Sequence, residues 1–148
     1  MKDTKPFTYY HPITVRYADL DPQGHVNNAA YMTYLESARL GYYERAGLWS
    51  PEKGEHTGMV VARAEIDYLA PIVYGQPLRV GVRLEKLGNK SMIFAFQVES
   101  ADGDRLFARG QSVMVAYDNV NETSRPVPPE WRRKLSEFEG KMGNDETA

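Results

Sequence analysis

One stretch of this chain repeats with helical period and is apolar on more than one side, and nearly everything after it repeats with period two. From about Ala29 to Ala46, Tyr31, Tyr34, Leu35, Ala38 and Tyr42 fall on a single helical stripe, which Met32, Leu40 and Tyr43 widen. A helix apolar over so much of its girth requires cover on several sides. Gly47 stands where a left-handed residue would end it.

The later segments can supply that cover. Ala62, Ala64, Ile66 and Tyr68 alternate with Arg63, Glu65 and Asp67. Leu78, Val80, Val82 and Leu84 alternate with Arg79, Gly81 and Arg83, and Met92, Phe94, Phe96 and Val98 with Ala95, Gln97 and Glu99. A long strand is predicted over Arg105–Tyr117. Another is predicted ahead of the helix, over His11–Ala18, where Ile13, Val15 and Tyr17 alternate with Thr14 and Arg16. Gly88-Asn89 and Asp102-Gly103 mark tight hairpins, and hairpin-linked strands are antiparallel. Pro128-Pro129 opens a short terminal helix with Trp131, Leu135 and Phe138 on one face. The polar tail from about Gly140 is expected to fray. The reading is α+β, one domain over residues 1–148: a strand, a helix, then an antiparallel meander of about four strands. A sheet of about five strands then curls around the one long central helix.

The sheet's other face is not cleanly polar. Ile93, Phe107, Val113 and Val115 fall on the register opposite the main core face, which predicts burial against another subunit. Scattered surface hydrophobes are the plainer alternative.

Composition removes several classes of chemistry. With no cysteine there is no disulfide, no thiolate nucleophile and no cysteine-based zinc site. The net charge of −2, from 18 basic and 20 acidic residues, gives no electrostatic basis for binding nucleic acid or an anionic membrane. No apolar run approaches the roughly 18 residues of a membrane span, and the N-terminus lacks the apolar centre of a signal peptide. The cytoplasm is the expected location, and on that expectation the sequon-like Asn121-Glu122-Thr123 is a coincidence in a loop.

The chemistry concentrates between the first strand and the buried helix. Asp19, Asp21, His25, Asn27 and Asn28 lie within one Asp/Pro/Gly/Asn-rich loop that runs into Tyr31. A helix start offers unpaired N–H groups and a partial positive charge, which can polarise a carbonyl and hold an oxyanion. A carboxylate beside it can serve as general base or nucleophile. The same residues also suit a plain helix cap and turn, and composition alone does not separate the two readings.

The segment resembles the active-site signature of the hotdog-fold 4-hydroxybenzoyl-CoA thioesterase family. The resemblance is carried by Asp19, Asp21, Gly24, His25, Val26, Asn27, Asn28, Tyr31, Tyr34, Glu36, Ala38 and Arg39. It continues through Ile66-Asp67-Tyr68, Pro71, Tyr74-Gly75 and Arg125-Pro126, covering roughly residues 11–135. It implies a hotdog fold and an acyl-CoA thioesterase, with Asp21 as general base or nucleophile and the Asn28 backbone amide polarising the carbonyl. His25, Asn27 and Tyr31 are expected to shape the loop or touch substrate. Coenzyme A would enter as part of the substrate, with no metal or other cofactor, and the assembly would be a homodimer or homotetramer.

The CoA phosphates call for Lys or Arg, and Lys86, Lys90 and Arg125 are the candidates. Glu36 is the rival carboxylate, because a related subgroup uses a helix glutamate; its spacing from Arg39 also suits an intrahelical ion pair. An acyl-carrier-protein thioesterase, a hotdog dehydratase using His25 with Asp21, and a non-catalytic acyl-CoA-binding module are the alternatives.

Overall fold

The computed structural model describes residues 6–54 and 56–140; the tail expected to fray lies, beyond Gly140, outside them. Helix α1 spans Asn28–Ala46. Asn27 caps it in an extended conformation (φ −63°, ψ 141°), its side chain accepting the Ala29 N–H at 2.8 Å. Gly47 ends it at φ 82°, a left-handed position that a side chain would strain. Tyr31, Tyr34, Leu35, Ala38, Tyr42 and Tyr43 form its buried side. Met32 remains 38% exposed, so among the described residues the broad apolar surface of the helix is covered only in part.

A six-stranded sheet curls around α1: β1 (Tyr9–Ile13), β2 (Met59–Tyr68), β3 (Leu78–Leu87), β4 (Ser91–Ser100), β5 (Leu106–Asp118) and the short β6 (Thr123–Ser124). The order is β1-β3-β4-β5-β2, with β6 beside β5, and all pairs are antiparallel. Leu78, Val80, Val82 and Leu84 on β3, Met92, Phe94, Phe96 and Val98 on β4, and Ala108, Met114 and Ala116 on β5 meet the helix. Helix α2 (Pro129–Glu139) closes one end, where the Tyr42 ring takes Phe94 and Phe138 edge-on at 5.1 and 4.9 Å. Gly41 lets α1 approach β1 closely, since a Cβ there would stand 2.3 Å from the Tyr9 hydroxyl. No described helix is long and apolar enough to cross a membrane.

Three expectations are corrected. The first strand runs Tyr9–Ile13, not His11–Ala18, because the Asp19 carboxylate captures the Arg16 N–H and turns residues Tyr17–Asp19 into a 3₁₀ turn. The meander comprises three strands, not four: β2 does not pair with β3 but lies across the sheet as an edge strand against β5. Phe107 sits in the core rather than on the outer face. Val98 pairs with Ala108 and Glu99 with Leu106, so a bulge at Phe107 inverts its side. Ile93, Val113 and Val115 do lie on the outer face, half-buried, with Ile93 opposite Val113.

Candidate active site

The loop between β1 and α1 is fixed by its own short polar residues. The Asp21 N–H donates to the His25 carbonyl (2.7 Å), and Leu20 and Val26 form a bridge, closing a tight hairpin. Within it Asp21 Oδ1 accepts the N–H groups of Gln23 (2.9 Å) and His25 (3.1 Å). Among the described residues, the other carboxylate oxygen takes no hydrogen bond. The chain is tied to the far wall by Val26 N–H to Ile72 O (2.8 Å) and by a bridge between His25 and Val73.

A deeper anchor lies two residues before Asp21. Asp19 is 3% exposed. Its Oδ2 accepts the Arg16 N–H (2.9 Å) and the Tyr34 hydroxyl (2.7 Å), and its Oδ1 accepts Arg16 Nε (3.2 Å) and Nη2 (2.8 Å). Burial works to raise its pKa, but the Arg16 and Tyr34 donors prevail and hold it below the ordinary 3.8. Tyr34 moves the other way: burial first, then its bond to the Asp19 carboxylate, push the phenol up. The Asp19 carbonyl accepts the Asn27 N–H at 2.7 Å, so the same residue also grips the start of α1.

Asp21, His25, Asn28 and Tyr31 line one cleft of about 260 Å³, walled opposite by Tyr68, Leu69, Ala70 and Pro71. The Tyr31 and Tyr68 rings pack edge-on at 4.9 Å. Burial and the nearby Tyr68 raise the Tyr31 pKa, so it stays a neutral wall. Asn28 is the first residue of α1. The Ala29 N–H is taken by the Asn27 side chain and the Ala30 N–H by the Asn27 carbonyl, and neither of those bonds involves the Asn28 N–H. The cleft thus sets a carboxylate with one tied oxygen beside a helix start, an arrangement that can activate a nucleophile and receive an oxyanion. No described group of three His, Cys, Asp or Glu side chains could hold a metal ion.

The remaining expected residues lie elsewhere. Asn27 is the helix cap and is not part of the cleft wall. Glu36 lines a second groove of about 520 Å³ between α1 and edge strand β2, with Leu40, Tyr43, Met59, Val61 and Met114. Arg39 turns its guanidinium to Ser112 Oγ (3.4 Å), away from the ion pair its spacing suggested. Lys90 and Arg125 flank Ala116: the Ala116 N–H donates to the Lys90 carbonyl and the Arg125 N–H to the Ala116 carbonyl, both at 3.0 Å. Arg125 lies over the Trp131 ring at 5.5 Å. Lys86 is exposed on the outer face opposite Ile93. Leu69 and Ala70 escaped the sequence reading, which had Tyr68 and Pro71 only as part of the resemblance and gave neither a place at the site; the signal for this wall is the apolar run and proline directly after β2.

The sequence profile of the thioesterase-like superfamily matches residues 15–135. The long-chain acyl-CoA thioesterase FadM of Escherichia coli strain K12 is 28% identical over 126 residues, covering 85% of this chain and 96% of that one. A thioesterase from Thermus thermophilus, solved with coenzyme A and zinc, superposes with a TM-score of 0.82 at 37% identity, over 93% of this chain and 98% of that one. The 1,4-dihydroxy-2-naphthoyl-CoA thioesterase of Synechocystis shares the fold, with a TM-score of 0.75 at 20% identity over 86% and 94% of the two chains.

Proposed function

This chain belongs to the thioesterase-like superfamily, and from that premise we propose how its cleft works. The protein is an acyl-CoA thioesterase: it hydrolyses an acyl-CoA thioester to a free carboxylic acid and CoA. The observation that carries the site assignment is the shared cleft, in which Asp21 stands beside the first residue of α1. The thioester oxygen accepts the Asn28 N–H, which sits at the positive end of the helix. On the general-base route, the free oxygen of Asp21 takes a proton from water as the water oxygen bonds the carbonyl carbon. On the nucleophilic route, that oxygen bonds the carbon itself and gives a mixed anhydride, which water then cleaves. In both, the C–S bond breaks and the CoA thiolate leaves and gains a proton. The sharpest test is a hydrolysis screen over palmitoyl-, octanoyl- and benzoyl-CoA. Turnover of at least one is expected, and hydrolysis of none would remove the assignment.

The complete site, on this reading, spans two subunits. Lys90 and Arg125, the residues suited to CoA phosphates, flank Ala116, whereas the cleft is at the Tyr68–Ala108 end of the β2–β5 pair. Eight residues of strand separate Ala108 from Ala116, about 27 Å at ~3.4 Å per residue. Among the described residues strand β2 is an open edge, and its Val60, Val61 and Tyr68 are 39%, 49% and 43% exposed. An edge of this kind invites pairing. Antiparallel pairing of β2 with its copy about a two-fold axis brings one protomer's Met59 end beside its partner's Tyr68 end. Lys90 and Arg125 then approach the partner's cleft, and the apolar groove beside Met59 and Val61 offers space for the acyl chain. The outer-face Ile93, Val113 and Val115 supply a second surface from which two dimers build a tetramer. Light scattering at assay concentration is expected to return a dimer or tetramer; a fully active monomer would overturn the composite site.

A further inference from the structure

We propose that Asp19 is a positioning residue for the hydrolysis, holding the Asp21 carboxylate and the Asn28 amide at a fixed separation. The inference rests on the roles given above to Asp21 and Asn28. Asp19 touches both arms of the site without entering the cleft. Its side chain holds Arg16 on one side and Tyr34, on α1, on the other. Its carbonyl holds the N–H of Asn27, the residue before Asn28. Asp21 follows it by two residues, inside the hairpin closed by Asp21 N–H to His25 O. The Tyr34 hydroxyl therefore locks the loop to the body of the helix, and the Asp19 carbonyl locks it to the helix start.

Stability alone is a weak account of this carboxylate. Its ion-pair partner Arg16 has a side chain 67% exposed, and pairs with one partner in solvent contribute little. Desolvating a carboxylate is costly, and an apolar side chain filling the same space serves a core at least as well. What an apolar side chain lacks is directional bonds to two residues at once, Arg16 on the loop and Tyr34 on the helix. Reacting groups must be held to within a fraction of an ångström, and a 1 Å misplacement costs on the order of 100-fold in rate.

The test is a double-mutant cycle on the full chain, assayed with the fastest of the three acyl-CoAs in the screen. Asp19→Asn and Tyr34→Phe are each made in the wild-type protein and in Asp21→Asn. Asp19→Asn in the wild-type background is expected to lower kcat about 10- to 100-fold with KM changed less than about three-fold. Tyr34→Phe, which removes one bond, is expected to cost about 3- to 10-fold in the same way. In Asp21→Asn, where no carboxylate remains to be positioned, each further loss is expected to fall below about three-fold. Equal losses in both backgrounds would mark Asp19 as merely structural and overturn the proposal. So would an unchanged kcat in both single variants, or a rise in KM alone. If Asp19→Asn does not fold, Tyr34→Phe decides by the same criteria. Wild-type activity in Asp21→Asn itself is a separate result: it removes the catalytic assignment, and this inference with it.

Discussion

Asp21→Asn is expected to remain folded and oligomeric while losing roughly 10²- to 10⁴-fold in kcat, the scale of a general acid–base group. The loop should survive because the amide oxygen of Asn can still accept the N–H groups of Gln23 and His25 that Asp21 Oδ1 accepts. What is lost is the charge on the oxygen that takes no hydrogen bond among the described residues, so a neutral amide neither deprotonates water nor attacks a carbonyl. Glu36→Gln is the paired control. Glu36 is exposed in a different groove, and it follows Asn28 by two turns, about 12 Å along the helix axis. Because Arg39 bonds Ser112 instead, little stability should depend on Glu36, and the melting temperature should stay near wild type; since its groove is the one offered to the acyl chain, Glu36→Gln should move KM while kcat stays within a few-fold of wild type. A collapse of kcat in Glu36→Gln with Asp21→Asn active, both folded by circular dichroism, would mean that the working carboxylate comes from the helix groove and that Asp21 only braces its loop.

Asn28→Pro is expected to cost on the order of 10²-fold or more in kcat, as for removal of one oxyanion donor, whereas Asn28→Ala should retain most activity. The contrast isolates the backbone, since alanine keeps the N–H and proline deletes it. The local conformation favours this substitution. Asn28 is the first helical position, where proline fits best because that N–H has no intrahelical partner. The preceding residue must be extended before a proline, and Asn27 already is, at φ −63° and ψ 141°. A helix-breaking artefact is therefore not the expected result, and circular dichroism on the variant checks it. A folded Asn28→Pro enzyme with wild-type kcat would remove the amide from the mechanism.

Much of the architecture was legible in the chain because its signals are local. Helix α1 was readable from the recurrence of Tyr31, Tyr34, Leu35, Ala38 and Tyr42, and its end from Gly47. The hairpins at Gly88-Asn89 and Asp102-Gly103 join β3 to β4 and β4 to β5 as expected, since turn residues specify pairing between neighbours. The candidate catalytic pair, Asp21 and Asn28, and the expected substrate-contact residues His25 and Tyr31 sit within one short stretch of sequence; the structure gathers those four into one cleft, with Asn27 as the helix cap.

By itself, then, the sequence determined a helix buried in an antiparallel sheet, the two hairpins, and a polar loop feeding the helix start: features set by residue periods and turn chemistry over a few neighbours. Only the tertiary structure decided the rest. It placed β2 at the far edge beside β5, because strand order across a sheet is settled by which edges meet after collapse, not by any local period. It turned Phe107 inward, because a single bulge reverses the side on which every inference from alternation depends. It ended β1 at Ile13 and closed the Asp19–Arg16–Tyr34 clamp, because burying a carboxylate obliges the fold to bring donors to it, here from the adjacent backbone and from a helix 15 residues away in sequence.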